Sequence, residues 1–142
     1  MDTGLLTPLW IGVAGATGTL MRYYAGLLMQ AWSRQLPWGT LLINVTGSLA
    51  IAFFGALTVS GARFPVSAEM RIVFMVGICG GYTTFSSFSL QTIDLIRDGA
   101  PGRAALNVVL SVVLCLGATT LGYLAADTLN RPAAQTGTAD RS

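Results

Sequence analysis

Gly77-Ile78-Cys79-Gly80-Gly81-Tyr82-Thr83-Thr84-Phe85-Ser86-Ser87-Phe88-Ser89 interrupts a long apolar stretch with two adjacent glycines and five serine and threonine hydroxyls. Each glycine disfavours helix by about 1 kcal/mol relative to alanine. The run therefore predicts a break in whatever helix contains it. In a bilayer, freed backbone groups cannot face lipid, so such a break must be buried in protein or line a cavity. Unwound carbonyls and half-helix ends at membrane depth are one way of holding ions. Small and hydroxylic residues also serve a plainer purpose, letting helices pack closely and hydrogen-bond to each other. Two glycines, five hydroxyls and the rings of Phe85 and Phe88 in one run favour the ion-holding reading.

The flanking sequence is that of a membrane protein. The chain has 142 residues, 53% of them hydrophobic and 10% charged, against about 25% charged in soluble proteins. A bilayer core of about 30 Å needs about 20 apolar residues per helix. Four stretches meet that length: residues 8–29, 39–59, 72–96 and 104–126. The expected architecture is all-α, with four transmembrane helices and a broken third, in one domain over residues 1–130. Residues 131–142 are polar and predict a disordered tail. The N-terminus lacks a basic n-region, so no cleaved signal peptide is expected. Trp10, Trp32, Trp38 and Tyr123 fall near predicted helix ends, where aromatic side chains favour the interface.

Composition removes most enzyme chemistry. The chain has no histidine, and all eight of its basic residues are arginines. A Ser-His-Asp triad, an HExxH zinc site and a phosphate-binding P-loop lysine are all excluded. A net charge of +2 without a basic cluster gives no nucleic-acid footprint. Cys79 and Cys115 sit in apolar surroundings and read as small buried side chains.

The loop arginines give little orientation bias. Arg63, Arg71, Arg131 and Arg141 fall on the side of the N-terminus, and Arg34, Arg97 and Arg103 on the other. The positive-inside rule then has almost no asymmetry to act on. Either the chain inserts both ways and pairs antiparallel, or a weak bias still yields one orientation.

Polar stripes on other helices match the broken one. Thr40, Asn44 and Ser48 recur at i+4 in the second stretch, and Asn107, Ser111, Cys115 and Thr119 do so in the fourth. Arg22 is the one charge well inside a predicted span, and its reading is an anchor for carbonyls freed by the break. The lining offers hydroxyls, an amide and ring edges, with no acid at helix centre; Glu69 and Asp94 lie at predicted ends. Donors without acids favour an anion, and a phenyl edge is its positive region.

These residues resemble the Fluc (CrcB) family of fluoride channels. Gly15 to Tyr23 is similar to the family's glycine-rich first-helix stretch ending in arginine and an aromatic. Gly39 to Gly47 resembles its GTLxxN motif, and Gly77 to Ser89 its GxCGGxTTFSTFS signature. The resemblance implies a dual-topology antiparallel homodimer in the cell (inner) membrane that lets fluoride leave the cytoplasm passively. It implies a structural Na⁺ at the dimer interface, held by the main-chain carbonyls of Gly80 and Thr83. It assigns the fluoride pathway to Asn44, Phe85, Phe88, Thr83, Thr84, Ser86, Ser87, Ser111, Cys115 and Thr119, and support of the break to Arg22.

Three positions depart from the family pattern. Ser87 replaces a threonine, Gln91 stands where many members have glutamate, and Cys115 replaces a serine with a weaker donor. Two rival readings are a small dual-topology exporter of cationic compounds and a non-conducting assembly subunit. The exporter predicts a titratable carboxylate in the core, and the sequence has none there.

Overall fold

The computed structural model describes residues 6–131; the predicted tail, apart from Arg131, lies outside them. All regular structure among the described residues is helical. Helix α1 spans Leu6–Met29 and α2 spans Trp38–Leu57. The third apolar stretch is composite. It comprises α3 (Ala68–Ile72), a π-helical segment Val73–Cys79, one α-helical turn α4 (Gly80–Tyr82), and α5 (Phe85–Arg97). Helix α6 runs over Pro101–Asn130.

Local chemistry sets these boundaries. Ser67 caps α3, its hydroxyl accepting from the Met70 N–H at 3.2 Å. Helix α5 ends on Gly99, whose φ of 75° is open to glycine at little cost. There Gly99 N–H donates to the Ile96 carbonyl and Ala100 N–H to the Leu95 carbonyl, a Schellman closure. Pro101 then opens α6, where its missing N–H costs nothing. Arg71 closes the end of α2, donating from Nη1 to the Gly55 carbonyl at 2.7 Å and to Thr58 Oγ1 at 2.8 Å.

Two helix pairings dominate the packing. Helix α2 lies along α6, and α1 lies against the π-helical segment and α4. Both depend on backbone-to-backbone approach. A Cβ on Gly18 would collide with the Ile78 carbonyl oxygen, one on Gly81 with the Gly15 carbonyl oxygen, and one on Gly122 of α6 with the Leu49 carbonyl oxygen of α2.

The break lies two to three residues later than the glycines suggest. Gly80 is helical, with φ −65° and ψ −37°. The chain leaves helical geometry at Thr83 (φ −79°, ψ 159°) and Thr84 (φ −154°, ψ 109°). Gly81 serves close packing against α1, and the threonines make the turn.

Among the described residues, three helical stretches are long and apolar enough to cross a membrane: Trp38–Leu57, Ala68–Arg97 and Pro101–Asn130. Helix α1 has the length, at 24 residues, but glycines, threonines, two tyrosines and Arg22 lower its mean hydropathy.

Candidate functional site

The break between α4 and α5 exchanges helical hydrogen bonds for side-chain ones. In an unbroken helix the Thr84 N–H would reach the Gly80 carbonyl. Here it donates to Asn44 Oδ1 at 2.8 Å, and Asn44 Nδ2 donates to the Thr84 carbonyl at 3.1 Å. Asn44 thus pairs with both backbone groups of one residue, from inside α2. The Ser87 N–H would likewise serve the Thr83 carbonyl, but donates to Thr84 Oγ1 at 3.2 Å and so caps α5. The Thr83 carbonyl accepts instead from Arg22 Nη1 at 3.4 Å. The Thr83 hydroxyl folds back onto the Cys79 carbonyl at 2.9 Å.

Two cavities meet at this turn, and Thr84 borders both. One, about 390 Å³, is lined by Asn44, Ser48, Cys79, Thr83, Thr84, Phe85, Phe88, Ser111 and Cys115 among others. The rings of Phe85 and Phe88 are tilted at 48° with centroids 5.4 Å apart. The other cavity, about 550 Å³, is wider and more charged. Arg22, Arg34, Thr40, Thr84, Ser87, Gln91, Asp94 and Asp98 are among its walls. The α2 stripe therefore runs from one cavity to the other, with Thr40 in the wide one and Asn44 and Ser48 in the narrow one.

The remaining predicted residues are placed less centrally. Ser86 is exposed, its hydroxyl 3.2 Å from Thr84 Oγ1. Thr119 is half-buried and borders neither cavity. Gly80 is exposed on α4, and its carbonyl is the one that the Thr84 N–H has left. Asn107, which shares the α6 stripe, is buried and donates to Thr92 Oγ1 at 2.8 Å, so it joins α6 to α5.

A family model described as "CrcB-like protein, Camphor Resistance (CrcB)" matches residues 9–123, most of the chain. The chain belongs to the CrcB family. It is similar to a protein of Gluconobacter oxydans, at 55% identity over 93% of this chain and 94% of the relative. A protein of Methylobacterium radiotolerans is also 55% identical, over 91% of this chain and 90% of its own. A third, from Rhodospirillum rubrum, is 48% identical over 88% and 98%. All three bear the name "Fluoride-specific ion channel FluC", which describes a channel and not a catalysed reaction. With three apolar helices of spanning length, this CrcB chain is a multi-pass membrane protein.

The wide cavity brings in residues that the motifs alone did not single out as a group. Ser87, Gln91, Asp94 and Asp98 stand at i, i+4, i+7 and i+11, one face of α5. That spacing was available in the sequence. Arg34 joins them from the loop after α1, which spacing along one helix cannot reveal. Gln91 Oε1 is buried without a hydrogen-bond partner among the described residues.

Proposed function

We propose that this chain is a fluoride-selective channel that lowers fluoride toxicity by letting cytoplasmic fluoride leave down its gradient. The observation that carries the reading is the narrow cavity at the break. Its polar lining consists of hydroxyls, thiols and an amide without a carboxylate, beside two phenyl rings. A small, strongly hydrated anion entering it exchanges water for these donors and for ring edges. Neutral donors stabilise the ion without trapping it, as a fixed cation at the same place would. Larger anions are excluded by width. The family membership and the names of the relatives agree with this assignment. The process is passive, with no catalysed reaction.

In this mechanism the wide cavity is the aqueous entrance, where Arg22 and Arg34 offset the charges of Asp94 and Asp98. Thr84 and Ser87 pass the anion toward Phe85 and Phe88. Asn44 keeps one amide N–H beyond the bond to the Thr84 carbonyl, and Ser111 and Cys115 continue the donor track, while the Thr83 hydroxyl borders it with its hydrogen turned onto the Cys79 carbonyl. Ser86 and Thr119 extend it at the margins. Arg22 steadies the Thr83 carbonyl.

The working unit is an antiparallel, dual-topology homodimer in the cell (inner) membrane, each chain crossing four times with α1 as the first crossing. Phe85 supports the second copy: it is 79% exposed in the single chain, an uncovered ring at the centre of the site. A Na⁺ at the dimer interface fits the donor set. The carbonyls of Gly80 and Thr83, both released from helical bonding by the break, are hard oxygen ligands of the kind Na⁺ takes. Two chains would supply two such pairs, and the ion would join them structurally.

Proteoliposomes holding the purified chain test the reading. They should release fluoride but not chloride, without an imposed proton gradient. Phe85→Ile or Phe88→Ile should cut the flux and leave the dimer intact. Fluoride release no faster than from empty vesicles would overturn the assignment.

A further inference from the structure

Cys79 has no part in the fluoride pathway described above, yet it borders the same cavity as Cys115. The two come from different elements, the π-helical segment and α6, and neither is in a disulfide. They are the only cysteines of the chain. Cys79 is 3% exposed, and Cys115 is half-buried. Both cysteines line this cavity of about 390 Å³, together with Asn44, Ser111, Phe85 and Phe88.

Sulfur distinguishes this cavity from the wide one. Thiolates select soft cations, whereas hydroxyl, amide and carbonyl oxygens suit hard ones. A d¹⁰ cation such as Ag⁺ is satisfied by two sulfurs in line, so two cysteines suffice where zinc would need four ligands. We propose that Cys79 and Cys115 form a two-thiol site for a soft, thiophilic cation in the cavity they share with Phe85 and Phe88. Each S–H gives up its proton as its sulfur binds, so two protons are released per Ag⁺. The product is a bis-thiolate silver complex of net charge −1, and no electrons are transferred. A cation held there fills the space between the rings and Asn44, and its thiolates add negative charge. Fluoride passage is then blocked on both counts. The binding stands on the cysteines alone; the block rests on the channel reading.

Silver nitrate titrated into the purified full chain in chloride-free buffer tests both parts. The thiolate-to-silver ultraviolet absorbance should saturate at one Ag⁺ per chain. Cys115→Ser and Cys79→Ser should each weaken binding by about a hundredfold, as loss of the second sulfur removes the intramolecular gain. Gel filtration reports whether each variant is folded, and Cys115→Ser, at the half-buried position, tests the site even if Cys79→Ser fails to fold. Two Ag⁺ per chain, or unchanged affinity in a folded single variant, would overturn the shared site. In proteoliposomes, Ag⁺ should stop fluoride efflux from the parent chain, and far less of it in Cys115→Ser relative to that variant's own rate. One Ag⁺ bound per chain with undiminished efflux would uphold the site and overturn this cavity as the conducting path.

Discussion

Asn44 meets the helix break with both ends of its amide, and few side chains can do this. Its oxygen takes the Thr84 N–H and its nitrogen serves the Thr84 carbonyl, in a region where Thr84 itself is buried. Removing the amide strands two backbone groups away from water, and each stranded group costs about 1–3 kcal/mol. Asn44→Ala should therefore destabilise the protein by about 2–6 kcal/mol, read as a lower midpoint on unfolding in detergent micelles. Asn44→Asp keeps the acceptor and loses the donor, and should fall between the two. A midpoint for Asn44→Ala equal to that of the parent would mean that the threonines hold the break without help. Cys115 gives a prediction of opposite sign. A hydroxyl is a better donor than a thiol, so Cys115→Ser should carry fluoride faster in a stopped-flow or electrode efflux assay. An unchanged rate would remove Cys115 as a point of resistance.

At the scale of the element, the composite third segment owes its path to close contact with α1. The Gly18 position faces the Ile78 carbonyl and the Tyr82 N–H, which a Cβ would approach to 2.9 Å in the latter case. Gly18→Ala should push α1 away from the π-helical segment and cost about 1–3 kcal/mol, as overpacking does. Gly12, on the same helix, has no other described residue packed within 4 Å of where a Cβ would sit, apart from its own helix turn, so Gly12→Ala should leave the unfolding midpoint unchanged or raise it. Equal midpoints for the two variants would show that α1 does not need this approach. The same contact explains what the sequence could and could not convey. Apolar length announces the helices, and i+4 spacing announces the stripe of Thr40, Asn44 and Ser48. Helix propensity points to Gly80 and Gly81 as the breaking residues, but propensity treats a glycine as a cost. Here Gly81 is needed against the Gly15 backbone, and the turn passes to Thr83 and Thr84. The role of Asn107 is hidden for a related reason. On spacing alone it belongs with Ser111 and Cys115, and only its bond to Thr92 on another helix assigns it to packing. The wide cavity likewise needs Arg34 to be brought beside Asp94 and Asp98 by the fold.

The whole molecule leaves much apolar surface without cover. Among the described residues no large side chain is less than 2% exposed, and Phe85 is 79% exposed beside the narrow cavity. Lipid can cover leucine and valine, but it cannot complete a polar pathway, so an inverted second copy is the natural cover in the channel reading. The loop arginines permit this, because neither side outweighs the other enough to impose one orientation. Tilting that balance should therefore separate orientation from folding. Ser60→Arg with Arg97→Gln shifts positive charge to the side of the N-terminus; Gly102→Arg with Arg63→Gln shifts it to the other. Ser60, Arg97 and Gly102 are exposed, and a Cβ on Gly102 would meet open space. Each variant expressed alone should insert predominantly one way, as shown by labelling of single loop cysteines from the two faces of the membrane. Such a population lacks inverted partners and should release little fluoride. Co-expression of the two supplies both orientations and should restore efflux toward that of the parent chain. Full efflux from a variant that labels from one face alone would rule out the antiparallel pair, because a chain without an inverted partner would then be conducting.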